Sequence, residues 1–362
     1  MGDKVKVGII GLGRWARVLA RGARQSDQIE IVKGFSRSAD KRDAFQAEYG
    51  VPSVGSLEEL LSDPEIKGCI LTVPNEEHLP VAEAVARAGK HIYTEKPIAN
   101  TLENGIRLEA LQARYGVRAM VGHSARLLRG ARMMKDAIDS GALGTLSFME
   151  SNFSNERALE LTPDTWRWYR AKAPGGPLSQ LATHLFDSLY MLGGEIVEVS
   201  SIASKLSPVG AEVDDQSMTM LRFASGALGY VGSSWTAPGI YFIRVYGQKG
   251  LMHFELDFGR WDDPDTVHET STLYIQRGKD GYGKREVLDM GQSNMFTDEL
   301  DMFAQMCRTN EAVELEAANG VVALAIVNAA LVSVERSGQA VKLAEIIDHA
   351  RARVADEDQS AA

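Results

Sequence analysis

The sequence predicts an α/β protein in two parts: a doubly wound parallel sheet at the N-terminus, then an α+β domain on a mainly antiparallel sheet. Three observations carry this. Short apolar runs alternate with helix signals through the first third of the chain. A glycine-rich turn follows the first run at once. Beyond about Thr145, several strand-like runs succeed one another with little helix between them. At 362 residues and 44% hydrophobic content, the chain can bury two cores. The boundary is expected at Ser124, giving domains 1–124 and 125–362.

The first strand is Val5 to Ile10, an apolar run suited to a buried parallel strand. Gly11-Leu12-Gly13-Arg14-Trp15-Ala16 follows it. In this pattern Gly11 permits the tight turn, Gly13 lets the backbone approach a pyrophosphate, and Ala16 allows the helix to pack closely on the strand. The helix opening at Arg14 and Trp15 aims its free amides at phosphates. The second run, Ile29 to Phe35, ends where a ribose-reading residue should stand. Ser36 and Arg37 occupy that place instead of an acid, and a hydroxyl beside a guanidinium suits a 2'-phosphate. NADP is therefore expected over NAD, with NAD still possible. The alternative is a solvated loop arginine, given Lys41 and Arg42 nearby.

Ser56, three residues before Glu59, opens a short helix with a capping box, and Gly68 to Val73 is the next apolar run. Asn75 is expected to cap a helix reaching Ala88. His91 to Thr94 and Arg118 to Gly122 complete the parallel series, the second after a helix ending at Gly116. Ligands bind at the carboxyl ends of such strands. Pro74, Asn75, Glu95, Lys96 and His123 fall there.

The second part holds a strand from about Thr145, a loop rich in Trp and Arg that includes Arg167, and a helix from Leu178 to Leu192 after Gly175, Gly176 and Pro177. The strands then run Glu198–Leu206, Gln216–Phe223, Leu228–Trp235, Phe242–Tyr246, Leu251–Leu256 and Thr272–Gln276. On the helix, Gln180, His184 and Asp187 share one face, and Leu178, Leu181, Leu185, Leu189 and Leu192 mark the core side. Residues 351–362 are polar and expected to fray.

Several classes are excluded. A net charge of −10 argues against nucleic acid. Cys69 and Cys307 lack metal-ligand spacing, so no metal is expected, and two lone thiols suit a reducing cytoplasm. The longest apolar stretch, Val321 to Val334, is too short to span a bilayer and is interrupted by Asn328. No signal peptide precedes Val5, so the expectation is a cytoplasmic protein without membrane attachment.

Two side chains carry candidate chemistry. Lys96 precedes Pro97, which holds its backbone out of the helical region just beyond a strand end. A partly desolvated lysine beside an oxidised nicotinamide can bond a substrate oxygen and help pass a proton. A surface lysine before a turn is the bland alternative. His184 titrates near neutrality, as an acid or base for an alcohol and ketone pair should. A histidine among apolar residues is more often a satisfied structural group, and taken alone it is read so.

These residues together resemble the glucose-fructose oxidoreductase, inositol 2-dehydrogenase and rhizopine-catabolism group (Gfo/Idh/MocA), over nearly the whole chain. The likeness rests on the Gly11 to Ala16 turn, on Thr72-Val73-Pro74-Asn75-Glu76-Glu77-His78, on Glu95-Lys96-Pro97, and on Gly175 through His184 with Asp187. It implies a Rossmann domain binding the cofactor with Thr72, His78 and the residues named above, and a C-terminal domain on a large open sheet that often forms homodimers or homotetramers. It also implies Lys96 and His184 as the catalytic pair, and a small-molecule sugar, polyol or cyclic alcohol as substrate. Many polyol dehydrogenases of the group have an aspartate where this chain has Gln180, which can orient by hydrogen bonds but not share a proton. With Gly122 to Arg126, that departure resembles the subgroup containing phthalate dihydrodiol dehydrogenase. His123 and Thr183 are then expected at the substrate. Arg126 or Arg167 pairs with a substrate carboxylate, or serves as a structural ion-pair partner. The expected activity is hydride transfer between the nicotinamide and a secondary alcohol. The alternatives are a redox-neutral glycoside-cleaving enzyme with tightly bound cofactor and a non-catalytic nucleotide sensor.

Overall fold

Each apolar run of the first third becomes a strand of one parallel sheet in the computed structural model, which describes residues 3–361 apart from 257, 262, 264, 265 and 280–282. The strands are β1 (Val5–Ile10), β2 (Ile29–Phe35), β3 (Ser53–Val54), β4 (Gly68–Leu71), β5 (His91–Glu95) and β6 (Ala119–Gly122). Their order, β3-β2-β1-β4-β5-β6, is that of a doubly wound sheet reversing beside β1. Helices α1 (Arg14–Gln25), α2 (Ala39–Tyr49), α3 (Leu57–Leu61), α4 (His78–Arg87) and α5 (Leu102–Tyr115) connect them. Local chemistry sets their ends. Ser38, Ser56 and Thr101 each accept a hydrogen bond from a first-turn amide, and Gly50 and Gly116 close α2 and α5 in the left-handed conformation.

Two local expectations change. The two-residue strand β3, paired with Gly34 and Phe35, has no forerunner in the sequence reading, because two residues are too few to show a period. Asn75 does not cap α4; a 3₁₀ turn, Asn75–Glu77, comes first, and the helix starts at His78. Pro80 explains the later start, since a proline is tolerated only in the first turn.

The second sheet is mixed. After α6 (Arg129–Asp139) come β7 (Leu146–Ser154), a π-helical turn (Leu178–Ala182) and α7 (Thr183–Gly193). Then follow β8 (Ile196–Ser204), β9 (Gln216–Phe223), β10 (Leu228–Ser234), β11 (Ile240–Gly247), β12 (Gly250–Leu256), β13 (Thr272–Arg277) and β14 (Glu286–Val287), with β15 (Val341–Lys342) arriving later in the chain. The nine strands run in the order β14-β13-β12-β11-β7-β10-β9-β8-β15. Among the described residues of this sheet, only β7 and β10 pair in parallel. Strict alternation along β9 buries Ser217, Thr219, Leu221 and Phe223 and leaves Met218 and Met220 more than half exposed on the open face.

The chain closes with α8 (Met295–Thr309), α9 (Ala317–Glu335) and α10 (Leu343–Ala361). Its two compact units are Met1–Ser124 with Asn294–Leu324 and Ala350–Ala362, and Ala125–Ser293 with Ala325–His349. The expected second domain, 125–362, therefore gives two segments back to the first unit. The reason is aromatic packing. Phe296 of α8 meets Trp15 edge-on at 5.7 Å, and Phe303 meets Tyr93 at 5.8 Å. A Cβ on Gly68 would come within 2.6 Å of Phe303, so the bare strand is what lets α8 approach. Apolar periodicity shows that a helix is buried but not which sheet it covers.

Residues 351–361 are helical rather than frayed; along them Arg107 pairs with Glu357 at 2.7 Å and Arg353 with Glu103 at 2.8 Å. Helix α9 is long and apolar enough to cross a membrane by length and composition, contrary to the sequence reading, yet most of it is buried within the protein. That burial marks it as a core helix.

Candidate active site

The cradle forms at the carboxyl end of β1. Gly11 sits at φ +93°, and a Cβ there would lie 2.8 Å from the Thr72 carbonyl carbon and oxygen, so the turn requires glycine. The Thr72 hydroxyl donates to the Gly11 carbonyl and pins the turn to the end of β4. Gly13 differs: its backbone is ordinary (φ −87°, ψ −166°), and nothing lies within 4 Å of where a Cβ would stand. That open space lies at the start of α1, where Gly13 caps with no side-chain hydrogen bond. Space for a close backbone approach at a helix N-terminus fits a dinucleotide pyrophosphate.

At the end of β2, the Arg37 guanidinium is 78% exposed and lies 3.3 Å from Glu77. An exposed pair of this kind is worth about 0–1 kcal/mol and gives way readily to a phosphate. Arg42 donates to the Ser36 carbonyl at 2.6 Å and holds the loop beneath it.

The loops after β4 and β5 are joined by His78. Its Nδ1 lies 3.0 Å from the Pro97 carbonyl oxygen and its Nε2 3.1 Å from that of Val73. His78 is thus a buried clamp between two carbonyls; burial lowers its pKa, so the neutral ring donates to one of them at a time. Pro74 is exposed and Asn75 half-buried beside it. Lys96 is half-buried at the end of β5, before a cis peptide to Pro97. Its amide donates to the Glu95 carboxyl at 3.3 Å. Burial pushes the Glu95 pKa up to about 7, against the pull of Lys96, Trp15 and Tyr93. The Tyr93 hydroxyl lies between Glu95 at 3.1 Å and Glu299 of α8 at 2.9 Å. His123 is buried at the end of β6.

The second unit arranges the histidine helix. Gly175 and Gly176 both have positive φ, and a Cβ on Gly176 would overlap the Asp214 carbonyl oxygen at 2.0 Å. Behind them Leu178–Ala182 forms a π turn rather than the first turn of the α-helix. With i→i+5 bonding, a four-residue step falls slightly short of a full turn where an α-helix slightly overshoots it, so Gln180 and His184 keep to one side while Asp187, on the α-helical part, lies farther round. Thr183, His184 and Asp187 are all buried, so the polar side of α7 is as deep as its leucine side.

Asp187 takes both arms of the Arg126 fork, at 2.6 Å and 2.7 Å, with both side chains buried. That commitment favours the structural alternative for Arg126 over a substrate carboxylate. Arg167 stacks over Trp166, its Cζ 4.1 Å from the ring centre. The His184 ring rests against Phe153 at 5.7 Å and Trp261 at 5.2 Å, with Tyr241 packed on both of those rings. Sequence reasoning did not find Phe153 and Tyr241 of this aromatic wall, nor Tyr93 and Glu299. For Phe153 and Tyr241 the inward alternation of β7 and β11 was the available signal.

A model of the oxidoreductase family's NAD-binding Rossmann fold matches residues 5–123, and a model of the GFO/IDH/MocA C-terminal domain matches residues 131–253. The chain belongs to the GFO/IDH/MocA oxidoreductase family. This GFO/IDH/MocA oxidoreductase is 31% identical over 250 residues to the 1,5-anhydro-D-fructose reductase of Ensifer adhaerens, covering 68% of this chain and 74% of the relative. It is 29% identical over 205 residues to a 1-carboxy-3-chloro-3,4-dihydroxycyclohexa-1,5-diene dehydrogenase of Comamonas testosteroni, 54% of this chain and 50% of that one, in keeping with the dihydrodiol subgroup. A crystal structure from Desulfitobacterium hafniense, provisionally named an NADPH-dependent oxidoreductase, superposes with TM-score 0.92 at 37% identity over 96% of this chain and 100% of that one. The GFO/IDH/MocA oxidoreductase is accordingly an NAD(P)-dependent enzyme acting on CH–OH groups of small molecules.

Proposed function

We propose that this enzyme carries hydride between NADP and a secondary alcohol or ketone of a sugar, polyol or cyclic diol, with Lys96 and His184 handling the proton. The observation that carries the reading is the open glycine cradle at the end of β1, with Lys96 at the end of β5 in the same sheet. When bound, the nicotinamide supplies the hydride acceptor or donor. His184 takes the hydroxyl proton in the oxidative direction and returns it in the reductive one. The Lys96 ammonium stabilises the negative charge that develops on the substrate oxygen. Gln180 orients the imidazole or a substrate hydroxyl, and the rings of Phe153 and Trp261 keep water from the imidazole.

Ser36 and the weakly held Arg37 support NADP as the preferred cofactor. Gln180 in place of a carboxylate argues against inositol. The open sheet face with Met218, Met220 and Ile202 supports self-association into a homodimer or homotetramer, and two free thiols suit the cytoplasm.

The test is a screen of sugars, inositols and aromatic dihydrodiols with NADP and NAD, followed by nicotinamide absorbance. On the best substrate, Lys96→Ala and His184→Ala lower kcat by about 100- to 10,000-fold with NADPH binding kept. Arg37→Ala lowers the NADP-to-NAD ratio of kcat/KM. Wild-type turnover in both catalytic variants overturns the assignment.

A further inference from the structure

Behind Lys96 lies a buried cluster with no part in the mechanism above. Tyr93 is fully buried on β5, Glu95 is 8% exposed two residues on, and Glu299 reaches in from α8 at 1% exposure. The phenol oxygen contacts a carboxyl oxygen on each side, Glu95 at 3.1 Å and Glu299 at 2.9 Å. Room for this meeting comes from Gly122 on β6, where a Cβ would stand 2.6 Å from the Tyr93 oxygen and 3.1 Å from Glu95.

A count of protons constrains the cluster. A phenol carries one proton and donates it to one acceptor. The second contact is a hydrogen bond only when the other carboxyl keeps its own proton and donates to the phenol oxygen. Two carboxylates this deep and this close do not both ionise readily in any case. With both contacts made as hydrogen bonds, one carboxyl keeps its proton and the trio holds one negative charge, divided between Glu95 next to Lys96 and Glu299 farther back.

We infer that Tyr93 and Glu299 are positioning residues for Lys96: they fix how much of that single charge resides on Glu95, and so set the protonation of the lysine. The inference rests on the reading of Lys96 as a catalytic group for its importance, but not for its test. Among the described residues, Lys96 follows Glu95 on the same strand, α8 contributes Glu299, α1 contributes the indole of Trp15, and β6 faces the cluster with Gly122 and is followed by the buried His123. Burial raises Glu95, with Lys96 the largest opposing influence, as expected if the two charges sense each other.

Two variants push the charge in opposite directions. Glu299→Gln removes the competing carboxyl and confines the charge to Glu95, so Lys96 holds its proton to higher pH. Tyr93→Phe removes the hydrogen bond that helps Glu95 ionise, so Lys96 loses its counter-charge and deprotonates at lower pH. Each shift is expected at about one pH unit, a tenfold change in the protonated-to-neutral ratio. The readout is the pH dependence of Lys96 acetylation by trace acetic anhydride, quantified by peptide mass spectrometry on the whole enzyme with and without NADP. Glu299→Asp, which keeps a carboxyl, should restore titration toward wild type, and thermal melts report whether each variant is folded. Opposite shifts support the inference. Coincident curves, or shifts in the same direction, overturn it. A Lys96→Ala enzyme that turns over normally would instead overturn the catalytic reading and leave the titration result standing.

Discussion

Replacing Gly13 with alanine should separate cofactor binding from folding. The backbone there is one that any L-residue adopts, and a methyl group would meet nothing within 4 Å. Folding stability should be unchanged or improve by about 0.4–1 kcal/mol through a less flexible unfolded chain. The methyl would instead fill the space into which a pyrophosphate has to come. A loss of tenfold to a hundredfold in NADPH affinity is expected, about 1.4–2.8 kcal/mol. Gly11→Ala is the contrasting perturbation. Its φ of +93° costs about 1–2 kcal/mol for a side chain. The 2.8 Å overlap with the Thr72 backbone adds about 1–3 kcal/mol, for roughly 2–5 kcal/mol in all. Urea unfolding and fluorescence titration with NADPH measure the two quantities on the same samples. If Gly13→Ala binds NADPH as tightly as wild type, or loses more stability than Gly11→Ala, the cradle has been misread.

Other perturbations probe the buried charges and the glycine turn. Asp187→Ala strands the buried Arg126 guanidinium and should cost about 3–5 kcal/mol in urea unfolding, much of it recovered by adding Arg126→Met; a loss under about 1 kcal/mol contradicts a buried pair. Glu95, with a folded pKa of about 7 against an ordinary 4.5, takes up its proton more readily folded than unfolded. Its contribution is therefore most favourable below pH 4.5 and is lost as pH rises to about 7. Glu95→Gln should flatten that decline in Tm, and parallel wild-type and variant profiles would refute the shift. Gly176→Ala, with its Cβ forced to 2.0 Å from the Asp214 carbonyl oxygen, should destabilise by more than about 3 kcal/mol; near-wild-type melting would mean that the turn opens freely.

What could be read in advance depended on period and on local chemistry. Strands β1, β2 and β9 were placed to the residue because their apolar runs are long enough to show a pattern. The Gly11 to Ala16 turn was legible because each position has its own steric demand. Strands β3, β14 and β15, at two residues each, carry no pattern, and their pairing is decided by neighbours distant in sequence. The return of α8 to the first unit depends on where Phe296 and Phe303 find partners, which no local window encodes. The π turn at Gln180 was hidden because its sequence also suits an α-helix; the closeness of Gly176 to Asp214 accompanies the difference. The setting of the His78 ring was hidden for a related reason, since a motif names a residue without saying which way its ring points.

The His78 clamp makes two motifs into one unit of change. With one nitrogen on Val73 and the other on Pro97, the ring sets the spacing between the segment that begins at Thr72 and the segment that presents Lys96. Grafting a relative's 72–78 segment alone, in order to alter coenzyme choice, would import a new anchor against an old socket and move the lysine along with it. Exchange of these segments should therefore succeed only when both travel together.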